Sequence, residues 1–305
     1  MIRFVARRFL ETIPVLFILA TVTFFMMHLA PGGPFSSEKR ASKEVRARME
    51  AHYGLDKPLF QQYLLQMKHL LQGNLGPSFK YPGQTVNEII AETFPVSAEL
   101  GLEALLVALL LGLLAGMVAA LKQNTFWDHF SMSLAMTGLC LPTFVMGPLL
   151  ISLFALHLEW CNAEGWFFPR DRVLPALTLG AFYAAYVARL ARGGLLEVLR
   201  QDFIRTAQAK GAGPARILFR HALRGGMLPV VSFLGPAIAG LLTGSFVVET
   251  IFGIPGLGRF FVTAAFNRDY FMIMGAVLFY AVFVIAMNLV VDIVLVWLNP
   301  KLRFE

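Results

Sequence analysis

The chain has 305 residues, 57% hydrophobic and only 15% charged, with a formal net charge of +7. A soluble domain is usually about a quarter charged, and here the apolar residues fall in long uncharged runs, so a polytopic membrane protein is expected. The basic residues gather in short loops with no groove motif beside them, which sets nucleic-acid binding aside, and Cys140 and Cys161 have neither the placement for a disulfide nor the company for a metal site.

A span needs about 20 mostly apolar residues. Six segments meet this, near Phe9–Ala30, Val96–Leu121, Phe130–Leu156, Val173–Leu190, Gly226–Val248 and Phe271–Leu298. The first has Arg3, Arg7 and Arg8 ahead of it, as a signal peptide would, but its apolar run is long and His28-Leu29-Ala30 is a poor cleavage site, so it reads as an uncleaved span. Between the first two spans, Val45, Met49 and Tyr53 recur at helical spacing over Ser42–Tyr53, closed by Gly54. Leu59, Tyr63, Met67 and Leu70 repeat the stripe between Pro58 and Gly73, so residues 31–95 are expected to form a small two-helix outer domain. With the N-terminus inside, Lys122, Arg189, Arg192, Arg200, Arg205, Lys210, Arg216, Arg220 and Arg224 fall in short inner segments. The short outer ones hold only Arg170, Arg172, Arg259 and Arg268. Both termini are therefore expected in the cytoplasm.

Prolines interrupt the spans at Pro14, Pro142, Pro148, Pro175, Pro229 and Pro236. Pro175 reads as a helix start, whereas Pro142 and Pro236 lie deeper and are the hinge candidates. Gly112 with Gly116, and Gly240 with Gly244, have the spacing that lets helices approach closely. No charge falls near the middle of any span, Glu99 and Glu103 being near an outer end and Asp292 near an inner one, which argues against an ion-coupled carrier. There is no GxxxxGK[ST] loop, and His157 and His221 lack the neighbours of a catalytic site, so neither ATP binding in that manner nor catalysis is expected of this chain, and an intramembrane enzyme lacks its residues.

The stretch RTAQAKGAGPARILFRHAL, Arg205–Leu223, lies between the fourth and fifth spans and is too polar to cross a membrane. A short amphipathic helix, a glycine break at Gly211 and Gly213, and a second helical piece on the basic side offer a surface to a soluble partner. The stretch resembles the coupling loop of the membrane subunits of ABC importers, whose pattern is Glu-Ala-Ala, three residues, Gly, nine residues, Ile-x-Leu-Pro. Ala207, Gly211 and Leu223 keep the pattern; Arg205, Thr206, His221 and Arg224 depart from it in the manner of the peptide/nickel branch. The likeness extends through MIRFVARRFLETIPVLF, LAPGGPF (Leu29–Phe35), GPSFKY (Gly76–Tyr81), FPVSAELG (Phe94–Gly101), AALKQNT (Ala119–Thr125), VVETIFGIPGLG (Val247–Gly258) and NRDY (Asn267–Tyr270), all similar to the oligopeptide permease B subunits.

That resemblance implies an all-α, type I importer permease with six transmembrane helices. Its parts would be residues 1–30, the periplasmic loop domain 31–95, and a core over 96–303 that carries the coupling loop 192–225 in a bacterial inner membrane. It implies a heterodimer with a homologous second permease subunit, two cytoplasmic ATPases that bind the ATP and Mg, a periplasmic peptide-binding protein, and peptide as cargo; a dipeptide or nickel permease of the same branch and an ATP-independent channel are the alternatives. Arg205, Thr206, Ala207, Lys210, Gly211, Ala212 and Gly213 would form the coupling helix and its turn, with Ala207 small enough to seat in the ATPase. Thr243 and Ser245 are candidates to line the passage, ordinary hydrogen bonding between helices being the other use of such hydroxyls.

Overall fold

The computed structural model describes residues 2–30, 51 and 53–298, with side chains from residue 10 to residue 297. The helix expected over Ser42–Tyr53 apart from Ala51 and Tyr53, the turn LAPGGPF beyond its first two residues, and the last seven residues lie outside those described. Every named element is helical, and five helical segments are long and apolar enough to cross a membrane, six when one sharply bent pair is taken as a single span.

Helix α1 (Ile2–Leu29) carries Ala20, Phe24 and Met27 onto Met274. Tyr63, Met67 and Leu70 of α2 (Leu59–Leu71) join that cluster, as their spacing predicts, and two polar ties fix the angle: Thr21 Oγ1 to the Tyr63 hydroxyl at 2.8 Å and His28 Nε2 to Gln62 Oε1 at 3.2 Å. Helix α3 (Val86–Leu121) begins ten residues before the expected span. Thr85 accepts from the Glu88 amide at 3.3 Å while the Glu88 carboxylate accepts from the Thr85 amide at 2.8 Å, a reciprocal cap that starts a helix whatever the hydropathy. At 36 residues α3 is about 54 Å long, well over a hydrocarbon core of about 30 Å.

The third span is not straight. Helix α4 (Phe126–Cys140) ends at Leu141, which is held extended (φ −92°, ψ 113°) ahead of Pro142, as the ring of a following proline requires. Helix α5 (Thr143–Leu150) then leaves at 106° and widens into a π-helical stretch, Ile151–His157. Pro142, expected as a hinge, stands at this bend. Helix α6 (Pro169–Leu199) starts at Pro169 and not at Pro175, which is buried inside it; the Asp171 carboxylate supplies the start signal by accepting from the Phe167 and Phe168 amides, each at 2.8 Å.

Helix α7 (Asp202–Ala209) leads into an irregular helical return, Pro214–Arg216, Ile217–Ala222 and Leu223–Gly226, and into α8 (Leu228–Leu242), which runs through Pro236 without a break. Two short helices, α9 (Phe246–Ile251) and α10 (Leu257–Asn267), precede α11 (Tyr270–Leu298). The most extensive pairing is of α3 with α6. A Cβ on Gly112 would stand 2.7 Å from the Ala184 carbonyl oxygen, and one on Gly116 2.6 Å from that of Ala188, so this glycine pair sets the helix separation. Gly240 and Gly244 do not repeat the arrangement: Gly244 lies past the end of α8 at φ +98° and serves a turn.

Candidate functional site

The polar loop 192–225 is built on α6. Near its end, Arg192 grips the buried Asp128 through Nε to Oδ1 at 2.8 Å and Nη2 to Oδ2 at 2.9 Å. Asp128 also accepts from the Asn124 amide at 2.9 Å, so the AALKQNT turn before α4 and the last turns of α6 are one rigid unit. Beyond it, α7 lies on the bundle by a single anchor. Ile204 is fully buried against Ala120, Leu195, Ile217, Leu218 and Ala222, while Arg205, Thr206, Gln208 and Lys210 are exposed and Ala207 is half-buried.

The helix is closed by a two-bond cap: the Ala212 amide donates to the Ala207 carbonyl at 3.1 Å and the Gly211 amide to that of Gln208 at 2.9 Å. That pattern needs the left-handed conformation at the residue after the C-cap, and Gly211 has φ +79°. Ala212 folds back onto the buried cluster, and Gly213 opens the next helical piece ahead of Pro214. All seven residues singled out between Arg205 and Gly213 therefore belong to one helix and its turn. Two large apolar side chains of this polar end, Phe203 and Phe219, are exposed, at 51% and 69%. Exposed aromatics flanked by Arg205 and Lys210 are the composition of a surface awaiting a partner.

The other sequence candidates fall elsewhere. Thr243 donates to its own Ala239 carbonyl at 2.7 Å, and Ser245 caps α9 through a 3.5 Å bond from the Val248 amide. Thr243 borders a cavity of about 260 Å³ together with Phe246, Phe261 and Tyr280, at the far end of the spans from the loop 192–225.

Two buried acids at that far end escaped the sequence reading. Glu249 is fully buried and accepts from Ser97 Oγ at 2.8 Å and from the Arg259 amide at 2.8 Å, while Ser97 Oγ accepts from the Leu257 amide at 2.8 Å. The glycines of VVETIFGIPGLG make room for this carboxylate, a Cβ on Gly256 falling 2.5 Å from Glu249 Cδ. Asp269 of NRDY accepts from the Ser78 hydroxyl and from the Phe79 and Lys80 amides, the latter two at 3.0 and 3.2 Å. FPVSAELG is thus locked to VVETIFGIPGLG, and GPSFKY to NRDY. The signal for the first lock was a lone acid among apolar residues and closely spaced glycines.

The family model "Binding-protein-dependent transport system inner membrane component" matches residues 112–304, and the model for the N-terminal part of such components matches residues 1–101. The chain belongs to this family. It is a multi-pass inner-membrane protein with the type I importer permease fold. The oligopeptide transport system permease protein OppB of Salmonella typhimurium is 48% identical over 306 residues, and OppB of Escherichia coli K12 is 47% identical over 306, each alignment covering 100% of both chains. The dipeptide transport system permease protein DppB of Bacillus subtilis is 42% identical, over 100% of this chain and 99% of its own. Among solved structures, a chain of the MetNI methionine ABC transporter, titled as inward facing, superposes with TM-score 0.56 at 15% identity, covering 69% of this chain and 96% of the other. A chain of an amino acid ABC transporter matches with TM-score 0.51 at 18% identity, covering 71% and 95%.

Proposed function

We propose that this chain is one of two membrane-spanning subunits of an ATP-driven importer of oligopeptides. The observation that carries the reading is the coupling loop. A short helix is anchored on the spans by Ile204, just beyond the stretch of α6 that the Asp128–Arg192 pair holds, and its opposite face, with Phe203, Arg205 and Lys210, is exposed, Arg205 pairing with Asp202 of the same helix. Such an element transmits a push as a rigid body, because its contacts with the spans are buried and its outer face is free.

In this reading the loop 192–225 and both termini are cytoplasmic, as the distribution of Lys and Arg favours, and residues 31–95 are periplasmic. Two ATPases bind ATP and Mg in their own P-loops and receive α7 in a cleft, with Ala207 and Gly211 at the seat. Closure of the ATPase dimer rocks the spans about the bend at Pro142 and exposes the passage to a peptide-binding protein. The cavity beside Thr243 is its outer part. The oligopeptide cargo is favoured by the full-length likeness to the OppB proteins over that to DppB. The chain supplies no chemistry of its own.

Purification of the tagged chain from its native membrane in mild detergent tests the assembly. A homologous permease and P-loop ATPases should co-purify. Recovery of this chain alone, beside intact complexes in a control preparation, contradicts the reading. Competition of uptake by peptides of two to six residues separates the oligopeptide cargo from a dipeptide one.

A further inference from the structure

Helix α6 packs on α3 with Ala184, Val187, Ala188 and Ala191, on α4 with Ala181, and on α8 with Tyr183 and Gly194. These contacts leave one open sector, between α4 and α8. At about 100° per residue, Phe182, Tyr186, Arg189 and Gly193 fall within roughly 60° of one another in that sector. Arg189 and Gly193 are exposed, Phe182 and Tyr186 half-buried, and no other element lies within 4 Å of the place where a Cβ on Gly193 would sit. Across the opening, Phe233 of α8 stacks on Tyr186 with ring centroids 5.5 Å apart at 22°, and Ser232 beside it is exposed.

The chemistry of this sector differs from that of the faces turned to hydrocarbon. The exposed stripe of α3 is Leu102, Leu106, Leu110 and Leu114. The open sector of α6 instead carries tyrosine, serine across the gap, and an arginine about one turn deeper in the span than Arg192. Arg192 has its carboxylate. Arg189 has none within salt-bridge distance among the described residues; its Nη2 rests on Met136 Sδ at 3.4 Å. A guanidinium so placed on a spanning helix faces water or an anion, not lipid. Aromatic rings and an arginine around an open glycine complement a peptide chain: rings for side chains of any kind, hydroxyls for the backbone, and a forked cation for a carboxylate.

We propose that this sector is the inner wall of the passage and that Arg189 takes the C-terminal carboxylate of the peptide in transit. The proposal rests on the peptide-import reading and names its contact residue. The test uses the whole complex in liposomes, with Cys140→Ser and Cys161→Ser removing both native thiols. Phe182→Cys, about 10 Å deeper than Arg189, should react with a charged, membrane-impermeant maleimide in the resting state or in the ATP–vanadate state, and tetra-alanine should slow the reaction severalfold. Absence of labelling in both states places lipid or the second permease over the sector and overturns the proposal.

Arg189→Gln should lower uptake of tetra-alanine at least about tenfold, the worth of a lost charge-assisted hydrogen bond, to the level at which the unaltered complex carries tetra-alanine amide. The partners should remain bound. Unchanged uptake, or loss of the second permease from the purified variant, overturns the role of Arg189. Failure of the unaltered complex to carry tetra-alanine with ATP would instead sink the peptide reading, while the labelling of Phe182→Cys would still report on the wall.

Discussion

Substitutions at Gly211 separate two roles that one residue can play. Gly211 has φ +79°, and no atom of another element lies within 4 Å of its Cβ position. Within this chain, then, any side chain costs the same thing, the left-handed conformation, about 1–2 kcal/mol. That cost falls on the turn closing α7 and amounts to a factor of roughly 5–30 in its population, leaving the spans untouched. Alanine, leucine and tryptophan should share it. If Gly211 also lies against an ATPase, volume adds overpacking of about 1–3 kcal/mol or more, and only for the larger residues. ATP-driven peptide uptake, with the ATPase co-purified through a tag on this chain, should therefore fall in the order Gly211→Ala, Gly211→Leu, Gly211→Trp, with tryptophan near background and insertion of all three normal. Equal uptake by the three at equal abundance would refute the seating argument and leave Gly211 as a helix cap alone.

Three further outcomes follow from the supports. Glu249→Ala leaves the buried Ser97 Oγ and the part-buried Arg259 amide without their acceptor, at about 1–3 kcal/mol for the hydroxyl and less for the amide, so the thermal midpoint in detergent should fall clearly, and less for the isosteric Glu249→Gln; an unchanged midpoint for the alanine variant contradicts the lock. A double-mutant cycle of Asp128→Ala and Arg192→Ala should give a coupling of about 1–2 kcal/mol in thermal denaturation, below that of a fully buried pair because Arg192 is 30% exposed, and additive effects would deny that the pair acts as a unit. Gly116→Leu must part α3 from α6, since even a Cβ meets the Ala188 carbonyl oxygen at 2.6 Å; the variant should run as aggregate in size-exclusion chromatography, and a monodisperse peak speaks against the close approach.

The spans were legible because hydrocarbon thickness imposes their length, and the α2 stripe because Tyr63, Met67 and Leu70 repeat at helical spacing. The 106° bend was only half legible: Pro142 marks the place, but the angle is set by how α4 and α5 pack on α6. Pro175 misled because a proline fits a first turn, whereas the capping carboxylate of Asp171 lies four residues earlier. Glu249, Asp269 and Asp128 were invisible as partners since each bond spans 64 to 191 residues of sequence, and hydropathy alone treats an acid past the end of a span as solvated. In the loop 192–225 the glycine break foretold the turn at Gly211. The return from Pro214 to Gly226, with its wide middle turns, follows no period a sequence displays.

The most direct measurement is peptide accumulation in liposomes that hold the complex purified through this chain. The binding protein and peptide are supplied on one side, with ATP and Mg on the side of the coupling loop. Import driven by partner ATPases requires accumulation with ATP, none without it, and arrest by vanadate. Equal peptide entry with and without ATP, insensitive to vanadate, would make the chain a passive channel.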